Sequence, residues 1–286
     1  MTKPLVSVLM TSYNREKYVA QSIESVLNST YTNFELVIVD DCSTDKTVEI
    51  IKQYASKDDR IKLNVNAKNL GQFKNRNLVA SYATGKYLKY LDSDDFLYPT
   101  GLEVLVNMME QFPDAGYGLS IPQDNSRPSP FILSPEESYR YNYEKYAIFS
   151  KSPLASIIKR DAFEKIKGFT VEAVCGDFAL WLEMASHFSV VLMPEGIGWY
   201  RIHQEQEMQK TRDSLKVAFE YLKAEEMFVS ENTNVPSDYK TKLMQQNKVA
   251  QLKFCLYALR KLEVKQFFTL FKIHKTDPKK YFHLLS

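Results

Sequence analysis

The sequence predicts an α/β fold built on a mainly parallel sheet. Short apolar runs alternate with stretches whose apolar residues recur at helical spacing. That rhythm of strand and helix is the mark of consecutive βαβ units. Polar residues also collect where the runs end, at the edge where open parallel sheets bind ligands.

Run 5–10 is short and apolar and reads as a buried strand; it ends in the polar turn Thr11-Ser-Tyr-Asn-Arg15. Tyr18, Ile23, Val26 and Leu27 then fall at helical spacing. Run 34–39 is a second strand, stopped by Asp40-Asp41. Ser43-Thr-Asp45 signals a helix start, and Val48, Ile50, Ile51 and Tyr54 mark that helix. Run 61–65 is a third strand, and a helix is expected from about 74 to 83, stopped by Thr84-Gly85. Run 87–91 is a fourth strand and ends at Asp92-Ser-Asp-Asp95.

Beyond this, a helix is expected over 101–112 and a strand over 116–121. Segment 122–135, rich in Pro, Ser and Asn, reads as a loop, and the tyrosine-rich 136–150 resists assignment. A strand at 155–159 leads into a helix from Asp161. An amphipathic helix follows over 177–187, a strand over 190–193 and a further candidate over 199–202. After Gln209 glycine disappears, and three helices are expected, over 214–231, 237–262 and 264–273.

A length of 286 residues suits one large domain, or a domain with an appendage. The net charge of +2 gives no reason to expect nucleic acid as a partner. No apolar stretch approaches the roughly 20 residues that span a bilayer, and the N-terminus lacks a cleavage-site pattern, so no signal peptide is expected. Cys42, Cys175 and Cys255 form neither a disulfide framework nor a metal spacing, which fits a reducing, cytoplasmic setting.

The acid cluster at 92–95 is the sharpest chemical signal. Several carboxylates at the end of an apolar strand repel one another and desolvate badly. A divalent cation relieves that, and through it the site would hold phosphate. A helix N-terminus also favours acids, but it accounts for one carboxylate rather than three in four residues.

Several segments, in this order and spacing, resemble family 2 glycosyltransferases of the GT-A fold. They are Val6-Ser-Val-Leu-Met-Thr-Ser-Tyr-Asn14, Val37-Ile-Val-Asp-Asp-Cys-Ser-Thr-Asp45, Asn69-Leu-Gly71, Arg76-Asn77, Gly85-Lys-Tyr87 and Leu91-Asp-Ser-Asp-Asp95. The resemblance implies a GT-A domain over 1–210, with a nucleotide-binding half (1–100) and an acceptor-side half (101–210), and a helical extension over 211–286. It implies inverting, metal-dependent transfer of a hexosyl or N-acetylhexosaminyl group. The donor would be a nucleotide-diphosphate sugar, foremost a UDP-sugar. The acceptor would be a glycan or lipid-linked glycan in surface polysaccharide synthesis.

Residue by residue, the second acid of Asp40-Asp41 would read uracil, since a carboxylate accepts the ring N–H that cytosine lacks. Tyr13 would stack on the base, a contact of about 1–3 kcal/mol in nucleic-acid systems. Thr11, Asn14 and Asn69 belong to the same edge, where Thr11 and Asn14 shape the turn. Arg76 either touches base or phosphate or lies on a solvated helix face. By resemblance Asp92 lies near the ribose and Asp94 holds Mn²⁺ or Mg²⁺, with Asp95 competing for that role and His203 completing the metal shell. Arg201 suits phosphate.

Asp177 would be the base that takes the acceptor's proton, or a plain N-cap or first-turn acid of its helix. Gly176 stands where the family usually has Glu, and Gln204-Glu-Gln-Glu207 where it usually has Gly or Ser. Trp181 reads as core before sugar platform, and Tyr139, Tyr141, Tyr143, Tyr146 and Phe149 as acceptor surface or core. The basic and aromatic stretch 264–275 admits peripheral membrane contact, a homodimer, or packing on the main domain. Two other functions compete. One is a nucleotidyltransferase, although Thr11–Arg15 lacks the glycines of a phosphate loop; the other is a nucleotide-sugar-binding protein without catalysis.

Overall fold

The structure, a computed structural model, describes residues 3–171, 175–203, 215–231, 235 and 237–260. Four strands, β1 (Val6–Ser12), β2 (Phe34–Asp40), β3 (Ile61–Val65) and β4 (Tyr87–Tyr90), lie parallel in the order β3-β2-β1-β4. Helices α1 (Val19–Leu27), α2 (Thr47–Ala55) and α3 (Gln72–Ser81) connect them. Register places Ser12 beside Asp40 and Asp40 beside Val65, so the loops after these strands open on one edge.

After the two-residue strand β5 (Phe96–Leu97) come α4 (Gly101–Met109), β6 (Tyr117–Ile121), β7 (Phe131–Leu133), α5 (Pro135–Glu144), β8 (Ser156–Lys159), α6 (Arg160–Lys165), α7 (Gly176–His187), β9 (Val190–Pro194) and β10 (Gly198–Trp199). The sheet grows to eight strands in the order β3-β2-β1-β4-β8-β6-β9-β7. β8 runs antiparallel to β4 and β6, β9 parallel to β6, and β7 antiparallel to β9. β5 and β10 form a separate antiparallel ribbon beside the acid cluster.

Both sheet faces are covered, which is why β1 and β2 read as nearly continuous apolar runs. Val6, Val8, Met10, Leu36 and Ile38 pack with α1 and α4 on one face. Leu9, Val37 and Val39 face the other way with α3 and α7, as the two-residue strand period requires.

Two stretches depart from expectation. Within the expected loop 122–135, Phe131–Leu133 forms an edge strand. The unassigned 136–150 is mostly α5, started by a capping box in which Ser134 and Glu137 bond reciprocally, with Pro135 in the first turn. The candidate strand at 199–202 shrinks to Gly198–Trp199.

Helices α8 (Leu215–Glu231) and α9 (Ser237–Arg260) pack on each other, and α8 on α7. Val229, Tyr239 and Leu243 share one hydrophobic cluster with Tyr139 and Leu180. The expected third helix, the 264–275 stretch and Gln204-Glu-Gln-Glu207 lie outside the described residues. Among the described residues no helix is long and apolar enough to cross a membrane. Cys42 is a free thiol.

Candidate active site

At the carboxyl edge of β1, β2 and β4 lies a cleft of about 410 Å³. Its lining includes Thr11, Tyr13, Asp41, Asn69, Asp92 and Asp94, with Arg15, Asn75 and Tyr200. Loops from three parallel strands and the ribbon thus meet at one place, as a switch-point site requires.

The Asp40-Asp41 pair divides its labour. Asp40 is fully buried and accepts bonds from Ser12 Oγ (2.8 Å), Ser43 N (2.7 Å) and Ser43 Oγ (2.6 Å), which holds the turn after β2. Asp41 faces the cleft. Its Oδ1 accepts from Asn66 Nδ2 and Leu70 N (both 2.8 Å), and its Oδ2 from Gly71 N (3.0 Å). An ionised carboxylate has about four acceptor sites, so among the described residues one is left open. Tyr13 stands 45% exposed at the cleft wall. Asn14 adopts the left-handed region (φ 53°), and its Oδ1 accepts from Thr44 N. It shapes the turn and does not line the cleft, a role for which Asn is suited. Asn69 accepts from Gly71 N (3.1 Å) at the cleft rim.

The acid cluster resolves into three different environments. Both Asp92 oxygens accept from Arg76 Nη2, at 3.0 and 2.8 Å. Asp94 Oδ2 accepts from Arg15 Nε (2.9 Å) and lies 3.0 Å from His203 Nε2. Asp95 is buried and accepts from Arg201 N at 3.0 Å. Burial and the charges of Asp92 and Asp94 push its carboxyl up to about 8, against the Arg201 N–H bond. Lys89, fully buried on β4, donates to the carbonyls of Pro153 and Leu154. Burial pushes its ammonium down to about 7, opposed by Asp95 and Asp92. Arg201 donates through Nε to the Asp94 carbonyl (2.8 Å), so it braces the cluster's backbone.

Asp177 enters from α7. Its Oδ1 accepts from Arg76 Nη1 at 2.7 Å, and Cys175, not Asp177, occupies the N-cap position. The Asp177 side chain is about one-third exposed (32%), whereas that of Arg76 is 2% exposed. Burial pushes the Asp177 carboxyl above the usual carboxylate range; Arg76 pulls it down and Asp92 pushes it up again. Arg76 is therefore no solvated helix residue, and it does not line the cleft.

The donors present suit a divalent cation that brings its own oxygens. Among the described residues no three His, Cys, Asp or Glu side chains converge as a ready-made cage. Asp94 and His203 offer one carboxylate and one imidazole, and a small divalent cation takes its remaining ligands from phosphate and water. Asp94 Oδ1 has no partner among the described residues, which leaves a coordinating oxygen. Asp95 is turned toward Arg201 N.

Sequence reasoning missed Arg15 and Tyr200 as site residues. Arg15 is the cation of the turn after β1, and Tyr200 lies within the candidate strand 199–202. On the acceptor side, Trp181 is core: it stacks on Tyr117 at 5.8 Å and donates to the Lys151 carbonyl. Tyr139, Tyr141 and Phe149 are buried, and Tyr146 is exposed.

Residues 7–167 match the family model described as glycosyl transferase family 2. The chain is 35% identical over 205 residues to the putative teichuronic acid biosynthesis glycosyltransferase TuaG of Bacillus subtilis, covering 70% of this chain and 80% of that one. It is 42% identical over 105 residues to the Escherichia coli UDP-Glc:alpha-D-GlcNAc-diphosphoundecaprenol beta-1,3-glucosyltransferase WfgD, covering 37% and 41%. The chain spans less than half the length of WfgD and of several other curated relatives, among them one from Haemophilus influenzae. The structure of S. aureus TarS residues 1–349 in complex with UDP-GlcNAc is similar in fold, with a TM-score of 0.67 and 20% identity over 85% of this chain and 71% of that one. The expected GT-A architecture is thereby present.

Proposed function

Because the chain belongs to glycosyl transferase family 2, a family of glycosyltransferase enzymes, we propose that it moves a sugar from a UDP-sugar to a glycan or lipid-linked glycan in surface polysaccharide synthesis. The observation that carries this reading is the single Asp41 acceptor site left open beside the exposed Tyr13 ring. Uracil offers one ring N–H to such a site. Guanine offers two adjacent donors, for which only one acceptor position remains. The names of WfgD and of the TarS complex point the same way, each citing a UDP-sugar.

The diphosphate would lie toward Asp94 and His203. A divalent cation held there would neutralise the diphosphate as a leaving group. The chain's own residues do the rest. Asp92 faces the cleft where the ribose is expected. Asp177 takes the acceptor hydroxyl proton as that oxygen bonds to the anomeric carbon and the bond to the UDP oxygen breaks. One base on the acceptor side suits inversion. A carboxyl raised above its ordinary range is better matched to a base working near neutral pH. Nucleotide sugars are cytoplasmic, so the reaction would occur there or at the inner membrane face, with peripheral or homodimeric contact through the C-terminal extension.

A thermal-shift panel with Mn²⁺ tests the donor. At a hundred times Kd a ligand stabilises by about 2.7 kcal/mol. UDP should raise the Tm more than GDP or CDP at equal concentration, and a larger shift with GDP would overturn the uracil assignment to Asp41.

A further inference from the structure

We infer that Arg76 is the positioning residue that joins the donor side of this site to its base, by holding Asp92 and Asp177 on one guanidinium. The inference rests on the reading of Asp177 as the base.

Arg76 comes from α3, Asp92 from the end of β4 and Asp177 from the first turn of α7. Nη2 donates to both Asp92 oxygens and Nη1 to Asp177 Oδ1. The guanidinium is buried, and its Nε has no partner among the described residues. Its plane lies near the Phe169 ring, 5.6 Å from the centroid. A buried charge persists only where paired. Here one rigid fork serves two carboxylates from distant segments, and a lysine ammonium, being a point charge, cannot span both in that way.

The consequence for the base is directional. Arg76 occupies Oδ1 of Asp177, and Oδ2 has no partner among the described residues, so Oδ2 is the oxygen that receives the acceptor's proton. Among the described residues, the other titratable groups around Asp177 are Asp92, whose charge opposes ionisation, and the phenols of Tyr90, Tyr200 and Tyr221, all pushed up and therefore neutral. Among the described residues Arg76 is the cation that opposes this upward push on Asp177. Binding of the donor against Asp92 alters the other half of the same fork, which gives the base a physical link to the donor site.

The test is the pH dependence of kcat/KM for transfer by wild type, Arg76→Lys and Arg76→Met, each first shown to bind UDP with Mn²⁺. Without the guanidinium, Asp177 protonates more readily, so the acidic limb should move to higher pH. The expected displacement is about one unit or more in Arg76→Met and less in Arg76→Lys, with kcat down about 10–100-fold. If Arg76→Met does not bind UDP, Arg76→Lys is read alone. An unmoved acidic limb overturns the inference even where kcat falls, because loss of packing alone would not shift it. In the double variant Arg76→Met/Asp177→Asn, the loss in kcat should be clearly smaller than the product of the two single losses, since both changes share one base; a fully multiplied loss overturns the inference. Full turnover by Asp177→Asn would instead remove the base assignment itself.

Discussion

Asp92, Asp94, Asp95 and Asp177 meet in this site on three separate sets of partners. Asp92 and Asp177 share Arg76, Asp94 meets Arg15 and His203, and Asp95 holds the backbone at Arg201. Asp94→Ala is therefore expected to abolish the Mn²⁺ dependence of UDP binding and weaken it at least about 10-fold, roughly one charge-assisted contact of 1.4 kcal/mol or more. Calorimetry with and without Mn²⁺ checks this; unchanged binding would move the metal to another carboxylate. The acids were legible in the sequence because they are contiguous or mark strand and helix ends. The pairing of these acids with their cations was not. Arg15, Arg76, Lys89 and Arg201 come from four separate places in the chain, and only folding brings them to the cluster. Repulsion among the acids, taken from the sequence alone as a need for metal, is already partly relieved by these side chains.

Among the elements, the strands were the most legible and the connections the least. β7 has three residues and sits at the sheet edge inside a Pro- and Ser-rich stretch, too short for a periodic signal. The start of α5 was written in Ser134-Pro-Glu-Glu137, but its tyrosines obscured the helical period. Two predictions belong to this scale. Glu35 on β2 ties the sheet together by accepting from Ser7 Oγ on β1 (2.6 Å), Thr84 N before β4 (2.7 Å) and Lys62 on β3. Burial works against its carboxylate, and these bonds more than offset that, holding it at about 2. A depressed carboxyl stabilises fully above its unfolded value of about 4.3 and loses that contribution as pH falls toward about 2. The amount is about 2–3 kcal/mol. Denaturant unfolding at pH 7 and pH 3 should show the loss in wild type and a smaller one in Glu35→Gln; equal losses would refute it. Gly176 is the second case. Gly to Ala in a helix ordinarily gains about 1 kcal/mol, but a Cβ here would lie 2.4 Å from the Phe73 ring. Phe73 is stacked on Phe169 at 5.7 Å, so Gly176→Ala should cost about 1–3 kcal/mol in the denaturant midpoint. An unchanged or raised midpoint would show that the ring moves aside freely. A Glu side chain at that position would meet the same ring.

For the whole molecule, the sequence conveyed the parallel half and the edge where ligands bind, because both faces of that sheet are covered and each strand ends in polar residues. It did not convey that α8 and α9 share a core with α5 and α7, since helical periodicity says nothing about which neighbour an apolar face meets. Leu243→Ala, on α9 and 4% exposed, should lower stability by about 2–4 kcal/mol while the folded protein keeps its affinity for UDP; loss of UDP affinity in the folded state would place α9 in the donor site. The central claim is that this edge transfers a sugar from UDP with Asp177 as the base. Acceptor-dependent release of UDP from UDP-sugars, wild type beside Asp177→Asn, tests it most directly once both are shown to bind UDP with Mn²⁺. The expected result is release by wild type and a loss of at least about 100-fold in Asp177→Asn, with UDP affinity nearly unchanged. Wild-type turnover by Asp177→Asn, or release from a GDP-sugar in preference to every UDP-sugar, would contradict it.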